Sequence, residues 1–134
     1  MKKIQSCCII DDDPIFIYGT KRLMKEINFC ESIIVYNNGQ EALEGLILIS
    51  ESGQKIPPFI FLDLNMPIMN GWEFLEEFTK IPNNSLKKTT IYIISSSVDP
   101  RDLERVKNYK AVNNYILKPI TPTDLETVLG AAMV

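Results

Sequence analysis

The 134-residue chain contains no histidine. That absence removes His-based zinc sites, Ser–His and Cys–His nucleophile pairs, and any phosphohistidine carried by the chain itself. Cysteine is scarce: Cys7, Cys8 and Cys30 have no CxxC spacing. Cys7 and Cys8 lie side by side in an apolar run and read as small buried hydrophobes. No stretch approaches the ~18 consecutive apolar residues that a membrane helix needs. The start, Met1-Lys2-Lys3-Ile4, lacks the apolar core and cleavage site of a signal peptide, so the expected location is cytoplasmic. A basic surplus is missing too. Net charge is −3 and the pI about 5.0, which recommends neither nucleic acid nor an anionic membrane as partner. Lys87-Lys88 is a tight basic pair beyond the N-terminus, and a solvated loop explains it. Whatever chemistry occurs here falls to carboxylates, hydroxyls and lysine.

What is present is ordinary for a soluble globular protein: hydrophobic residues make up 46% and charged residues 23%. Residues 1–134 read as one domain, long enough to bury a core without staples, with no repeat, low-complexity segment or trailing linker. The organising stretch is Phe59-Ile60-Phe61-Leu62-Asp63-Leu64-Asn65-Met66-Pro67. Four apolar residues in a row predict a strand buried on both faces, the pattern of a parallel sheet. The run stops at a carboxylate, Pro67 forbids further ladder pairing, and Asn70-Gly71 supplies turn chemistry. Asp63 therefore falls at the carboxyl end of a central strand, where open α/β sheets place their ligands.

Taken in order, Ile4 to Ile10 predicts a first strand running into Asp11-Asp12-Asp13-Pro14. Asp13 before Pro14 is an N-cap for a helix to about Ile27, which leaves Asp11 and Asp12 without a structural role. Glu31 to Tyr36 is the second strand, and Asn38 with Glu41 caps a helix to about Ile49. Glu51 to Pro58 is loop, Phe59–Leu62 the third strand, and Gly71 to Lys80 a helix with Trp72, Leu75 and Phe78 inward. After a loop over Pro82 to Lys88, Thr89 to Ile94 is a strand ending in Ser95-Ser96-Ser97. Asp99-Pro100 opens a helix to about Tyr109 whose only apolar positions, Leu103 and Val106, predict loose attachment. Asn114 to Leu117 is a short fifth strand ending at Lys118-Pro119. Thr121 to Asp124 caps a last helix with a Leu125, Val128, Leu129 and Ala132 stripe. Five strands alternating with five helices specify a doubly wound α/β domain with a parallel sheet.

The crossover rule brings the carboxyl ends of such strands to one edge. That edge collects Asp11, Asp12, Asp63, Ser95 and Lys118. Two carboxylates 4 Å apart repel by about 4 kcal/mol at an effective dielectric of 20, unless a cation offsets them. Lys118 can neutralise one. An all-oxygen donor set without His or Cys favours a hard ion, Mg²⁺ above Zn²⁺. Asp12 is expected as a direct ligand, Asp11 as a direct or water-mediated one, Asp63 as a third and the Asn65 backbone carbonyl as a fourth. A hydroxyl and an ammonium around a metal-bound carboxylate are equipment for phosphoryl transfer to Asp63.

On these residues the chain resembles the receiver domains of two-component response regulators, the CheY-like family. The matching positions are Asp11-Asp12, Leu62 to Pro67 with Gly71, Ser95, Tyr115 and Lys118-Pro119, spread over essentially the whole chain. The resemblance implies a flavodoxin-like strand order of 2-1-3-4-5. It further implies that Asp63 is the phosphoacceptor, that Asp11 and Asp12 are the acidic metal pair, and that Ser95 and Tyr115 are switch residues. Lys118 would complete the site, and the Lys118-Pro119 peptide would be cis. The implied role is a phosphorylation switch that catalyses only its own phosphorylation and dephosphorylation. A sensor histidine kinase or phosphotransfer protein would donate the group. A downstream protein target would read a changed surface made by the fourth helix, fifth strand and fifth helix. With no output segment after Val134, a stand-alone module is expected. Departures are mild: Ser95 for the commoner Thr, Asn70 for a frequent Asp, and long loops at Glu51–Pro58 and Pro82–Lys88. Those loops resemble single-domain receivers, some of which serve phytochrome-type kinases.

Two other readings compete. A Mg²⁺-dependent phosphatase of the haloacid dehalogenase kind also uses a strand-end Asp, but the second acid of that motif is Asn65 here and no cap domain is present. A flavodoxin-like flavin binder would need a Ser/Thr/Gly-rich phosphate loop after the first strand, where this chain has a row of acids.

Overall fold

The computed structural model describes residues 4–81, 89–97 and 99–132, and the side chains of 4–81, 89–97 and 99–130. The elements run β1 (Ile4–Ile10), α1 (Pro14–Glu26), β2 (Cys30–Tyr36), α2 (Gly39–Glu51), β3 (Phe59–Asp63), α3 (Gly71–Phe78), β4 (Thr90–Ser95), α4 (Pro100–Val106), β5 (Val112–Leu117) and α5 (Pro122–Ala132). All pairings are parallel, in the order β2-β1-β3-β4-β5. The doubly wound sheet and its strand order are therefore as expected. The expected loop over Pro82 to Lys88, with the Lys87-Lys88 pair, lies outside the described residues, as does Met1 to Lys3.

Alternation along the central strands sorts the core into two layers. Cys8, Ile10, Ile60, Leu62, Ile91 and Ile93 meet Ala42 and Leu46 of α2 and Phe74, Leu75 and Phe78 of α3. Cys7, Ile9, Phe59, Phe61, Tyr92 and Ile94 face the other way, onto Met24 of α1 and Leu125 and Val128 of α5. Every residue of β3 is buried, because helices cover both its faces. Phe61 stacks on Tyr92 with ring centroids 5.8 Å apart. Truncating such a buried ring to alanine costs about 3–5 kcal/mol.

Several boundaries differ from the sequence reading, each for a local reason. The α2 helix continues to Glu51 because Ser52 folds back as its C-cap, its N–H reaching Leu48 O. The α4 helix stops at Val106, but single turns closed by Lys107, Asn108 and Tyr109 N–H groups carry the coil onward to Tyr109. The β5 strand starts at Val112, earlier than Asn114, since Val112 pairs with Ile91 before a register irregularity. In α3, Trp72 is only half-buried, and Phe74 takes the core position expected of it. Trp72 instead sits at the rim, under the Arg105 guanidinium at 4.2 Å and beside Tyr109. The α4 helix buries none of its residues, in keeping with its few apolar positions.

Candidate functional site at the carboxyl edge of the sheet

The predicted acids, Ser95 and Lys118 stand at or just past strand ends, whereas Tyr115 lies within β5. Asp63 closes β3, Ser95 closes β4, Asp11 follows β1 and Lys118 follows β5. Ile10 pairs with Leu62, so one step further along the register puts Asp11 beside Asp63 on neighbouring strands. Asp11 is held from three sides. Its N–H donates to Tyr36 O at 3.0 Å, its Oδ1 accepts the Asp13 N–H at 2.9 Å, and its Oδ2 meets Lys118 Nζ at 2.7 Å. That Oδ2 is buried and has this ammonium as its charge partner, without a hydrogen bond of good alignment. Asp13 spends its own carboxylate on the α1 N-terminus, accepting from Ile15 N–H at 2.9 Å as expected of an N-cap.

Asp63 is 5% exposed. Its Oδ1 accepts the Asn65 N–H at 3.3 Å and its Oδ2 lies 3.8 Å from Lys118 Nζ. Burial raises its pKa from the usual 3.8 to about 6; the Asp11 charge adds to the rise, while Lys118 and the Asn65 N–H oppose it and Asp12 adds a little. Carboxylate oxygens of Asp11, Asp12 and Asp63 lie within 4.8 Å of one another, with Asp12 on the solvent side. Three converging carboxylates against one ammonium leave an excess of negative charge. This donor set, all oxygen and partly buried, fits a hard divalent cation.

Around this centre, Ser95 is buried and its hydroxyl is engaged with Ser97, donating to the carbonyl at 2.8 Å and accepting the N–H at 3.3 Å. The Tyr115 hydroxyl is already out of solvent and without a hydrogen-bond partner of good geometry. Burial raises its pKa, and the nearby Ser95 hydroxyl partly offsets that rise. The Lys118-Pro119 peptide is cis, and the Lys118 N–H donates to Ser95 O at 2.8 Å, tying β5 to β4 beside the site.

Two features escaped the sequence reading, one of them a neighbour of the site. Phe16 lies under Lys118, with Nζ 4.5 Å from the ring centroid, and so orients the ammonium from below. Its signal was an aromatic in the first turn after the acids. Ile68 has φ of 68° and is 81% exposed. Nothing in the residue type announces that conformation, since β-branched residues avoid it.

Comparison with known proteins agrees with this geometry. The response regulator receiver domain family matches residues 7–130. A two-component response regulator from Cytophaga hutchinsonii has a similar structure, with a TM-score of 0.90, 30% identity, and 98% of each chain covered. The nitrate/nitrite response regulator NarL of Escherichia coli (strain K12) is 31% identical over 92% of this chain, which spans 52% of NarL's length. The probable methanogenesis regulatory protein FilR2 of Methanothrix harundinacea is 25% identical over 88% of this chain and 74% of its own length.

Proposed function

Since the chain belongs to the response regulator receiver domain family of two-component signalling, we propose that Asp63 accepts a phosphoryl group from the phosphohistidine of a sensor kinase or phosphotransfer protein. The observation that carries this reading is the setting of Asp63. It ends a buried strand with its carboxylate between two further acids and an ammonium.

In the proposed reaction an Asp63 oxygen attacks phosphorus, a P–O bond forms, and the P–N bond to the donor imidazole breaks. Asp11, Asp12, Asp63 and the Asn65 carbonyl would hold Mg²⁺, which supplies neutralisation of the phosphoryl oxygens and of the acids around them. Lys118 is poised for the same task from the other side. It bridges Asp11 and Asp63 at 2.7 and 3.8 Å, so a new dianionic group on Asp63 competes with Asp11 for it. Ser95 is near enough to serve only after giving up its Ser97 partner. As Ser95 turns to a phosphoryl oxygen, it leaves space beside the buried Tyr115 hydroxyl. The change then spreads over the loosely attached α4 and the surface it shares with β5 and α5, which a downstream protein reads by contact. The domain does no chemistry on other molecules beyond acquiring and losing its own phosphate.

The test is to incubate the chain with acetyl phosphate or phosphoramidate and Mg²⁺ and to weigh it. The expected product is one adduct of about 80 Da, labile to hydroxylamine and abolished by Asp63→Ala. Steady turnover of a phosphate ester with no lasting adduct would replace the switch with a phosphatase.

A further inference from the structure

Cys30 opens β2, away from the carboxyl edge that carries the acids. Its Sγ lies 3.1 Å from Cys7 Sγ, and Met24 Sδ lies 3.7 Å from Cys7 on another side. Cys7, Cys8 and Cys30 are all free thiols. The register sets Cys30 opposite Ile4 and Cys7 opposite Ile33, so the two cysteines stand three residues out of step on neighbouring strands and meet only through their side chains. Their surroundings differ: Cys7 has no exposed surface, whereas Cys30 is partly open to solvent. One reachable sulfur touching one sealed sulfur is the arrangement of an attacking thiol and its resolving partner. With Cys7 as the hydrogen-bond donor, the contact lowers the Cys30 pKa and raises that of Cys7, which burial raises further. Cys8 belongs to the opposite core layer and takes no part.

We propose that Cys30 is an oxidation site for hydroperoxides and that Cys7 resolves it into an intramolecular disulfide. The Cys30 thiolate attacks one peroxide oxygen; an S–O bond forms, the O–O bond breaks, and the departing oxygen takes a proton. Cys30 becomes a sulfenic acid, oxidised by two electrons, and the peroxide is reduced to water or an alcohol. The Cys7 sulfur then displaces hydroxide from Cys30, the Cys7 proton leaves with that hydroxide as water, and the S–S bond closes. The sulfurs approach from 3.1 Å to about 2.05 Å, with Cys30, the first residue of β2, moving toward β1 to take up the three-residue offset. The Cys7 sulfur already touches Cys30, so the sulfenic acid forms with its resolving thiol in contact.

The experiment treats the reduced full chain with hydrogen peroxide, blocks remaining thiols under denaturing conditions, and maps the peptides. The expected product is a monomer about 2 Da lighter, retaining one of its three thiols and restored by dithiothreitol. Its cross-linked peptide joins Cys7 to Cys30, and Cys8→Ser leaves the reaction unchanged. Cys30→Ser abolishes it. Cys7→Ser stops it at a sulfenic acid that dimedone traps on Cys30. Should Cys7→Ser fail to fold, the rate settles the matter: the folded chain must lose thiols faster than the urea-unfolded chain. An equal or slower rate, a bond involving Cys8, or only disulfide-linked dimers would overturn the proposal.

Discussion

At the scale of single residues, the site stores unfavourable energy. Asp63 has a folded pKa of about 6 against 3.8 for a free carboxyl. Between those values the folded chain holds a proton that the unfolded chain has released. Stability therefore falls as pH rises through that window. Asp63→Asn removes this term, and at pH 7 without divalent metal it should stabilise the fold by about 1–2 kcal/mol. Its advantage over the parent should shrink as pH falls from about 6 toward 4 and be gone below that, which parallel urea titrations at several pH values would measure. A second cost lies at Ile68, a β-branched residue at φ 68°. Ile68→Asn, which tolerates that region, should raise stability by about 1 kcal/mol. The side chain is 81% exposed, so little burial is lost. A denaturation midpoint that fell would show that Ile68 makes contacts outweighing its backbone strain.

At the scale of elements, the turn from β3 into α3 sets where the strand that carries Asp63 ends. Asn70 and Glu73 form a reciprocal capping box at the start of α3, and Gly71 N–H donates to Leu64 O at 3.0 Å. A Cβ at Gly71 would stand 2.6 Å from the Asp63 carbonyl oxygen and 2.8 Å from Leu64 Cα. Both are backbone atoms that cannot swing away. Gly71→Ala should therefore cost about 1–3 kcal/mol, read as a lower denaturation midpoint at unchanged slope. It should also slow labelling of Asp63 by acetyl phosphate beyond what stability explains, because the strand end itself moves. The sequence carried much of this element-level information. Pro14 after Asp13, Asn38 before Glu41, and the apolar block before Asp63 name their caps and strand because local chemistry decides them. Element ends were less legible where tertiary contact decides: the β5 start depends on pairing with Ile91, and Trp72 is drawn to the rim by Arg105 and Tyr109. Lys118 beside Asp11 followed from fold class plus strand-end position. Phe16 beneath it needed coordinates, since an aromatic in a first turn points to no partner by itself.

At the scale of the whole molecule, two core layers fix the sheet while its carboxyl edge stays charged. Any ion that binds the folded edge and not the unfolded chain adds stability by mass action, about 2.7 kcal/mol at a hundredfold excess over its dissociation constant. Chelation of Mg²⁺ should accordingly lower the melting midpoint of the parent, and Asp12→Asn should blunt that response. Differential scanning calorimetry with and without a chelator would measure both. The α4 helix has no buried residue; Val106 packs against the core from its last turn and the guanidinium of Arg105 lies over Trp72. Trp72 is the only tryptophan in the chain. The molecule thus carries its own optical gauge: indole emission, quenched or shifted by that cation, should report movement of α4, and under the proposed function plain fluorimetry should follow phosphorylation of Asp63 without a dye.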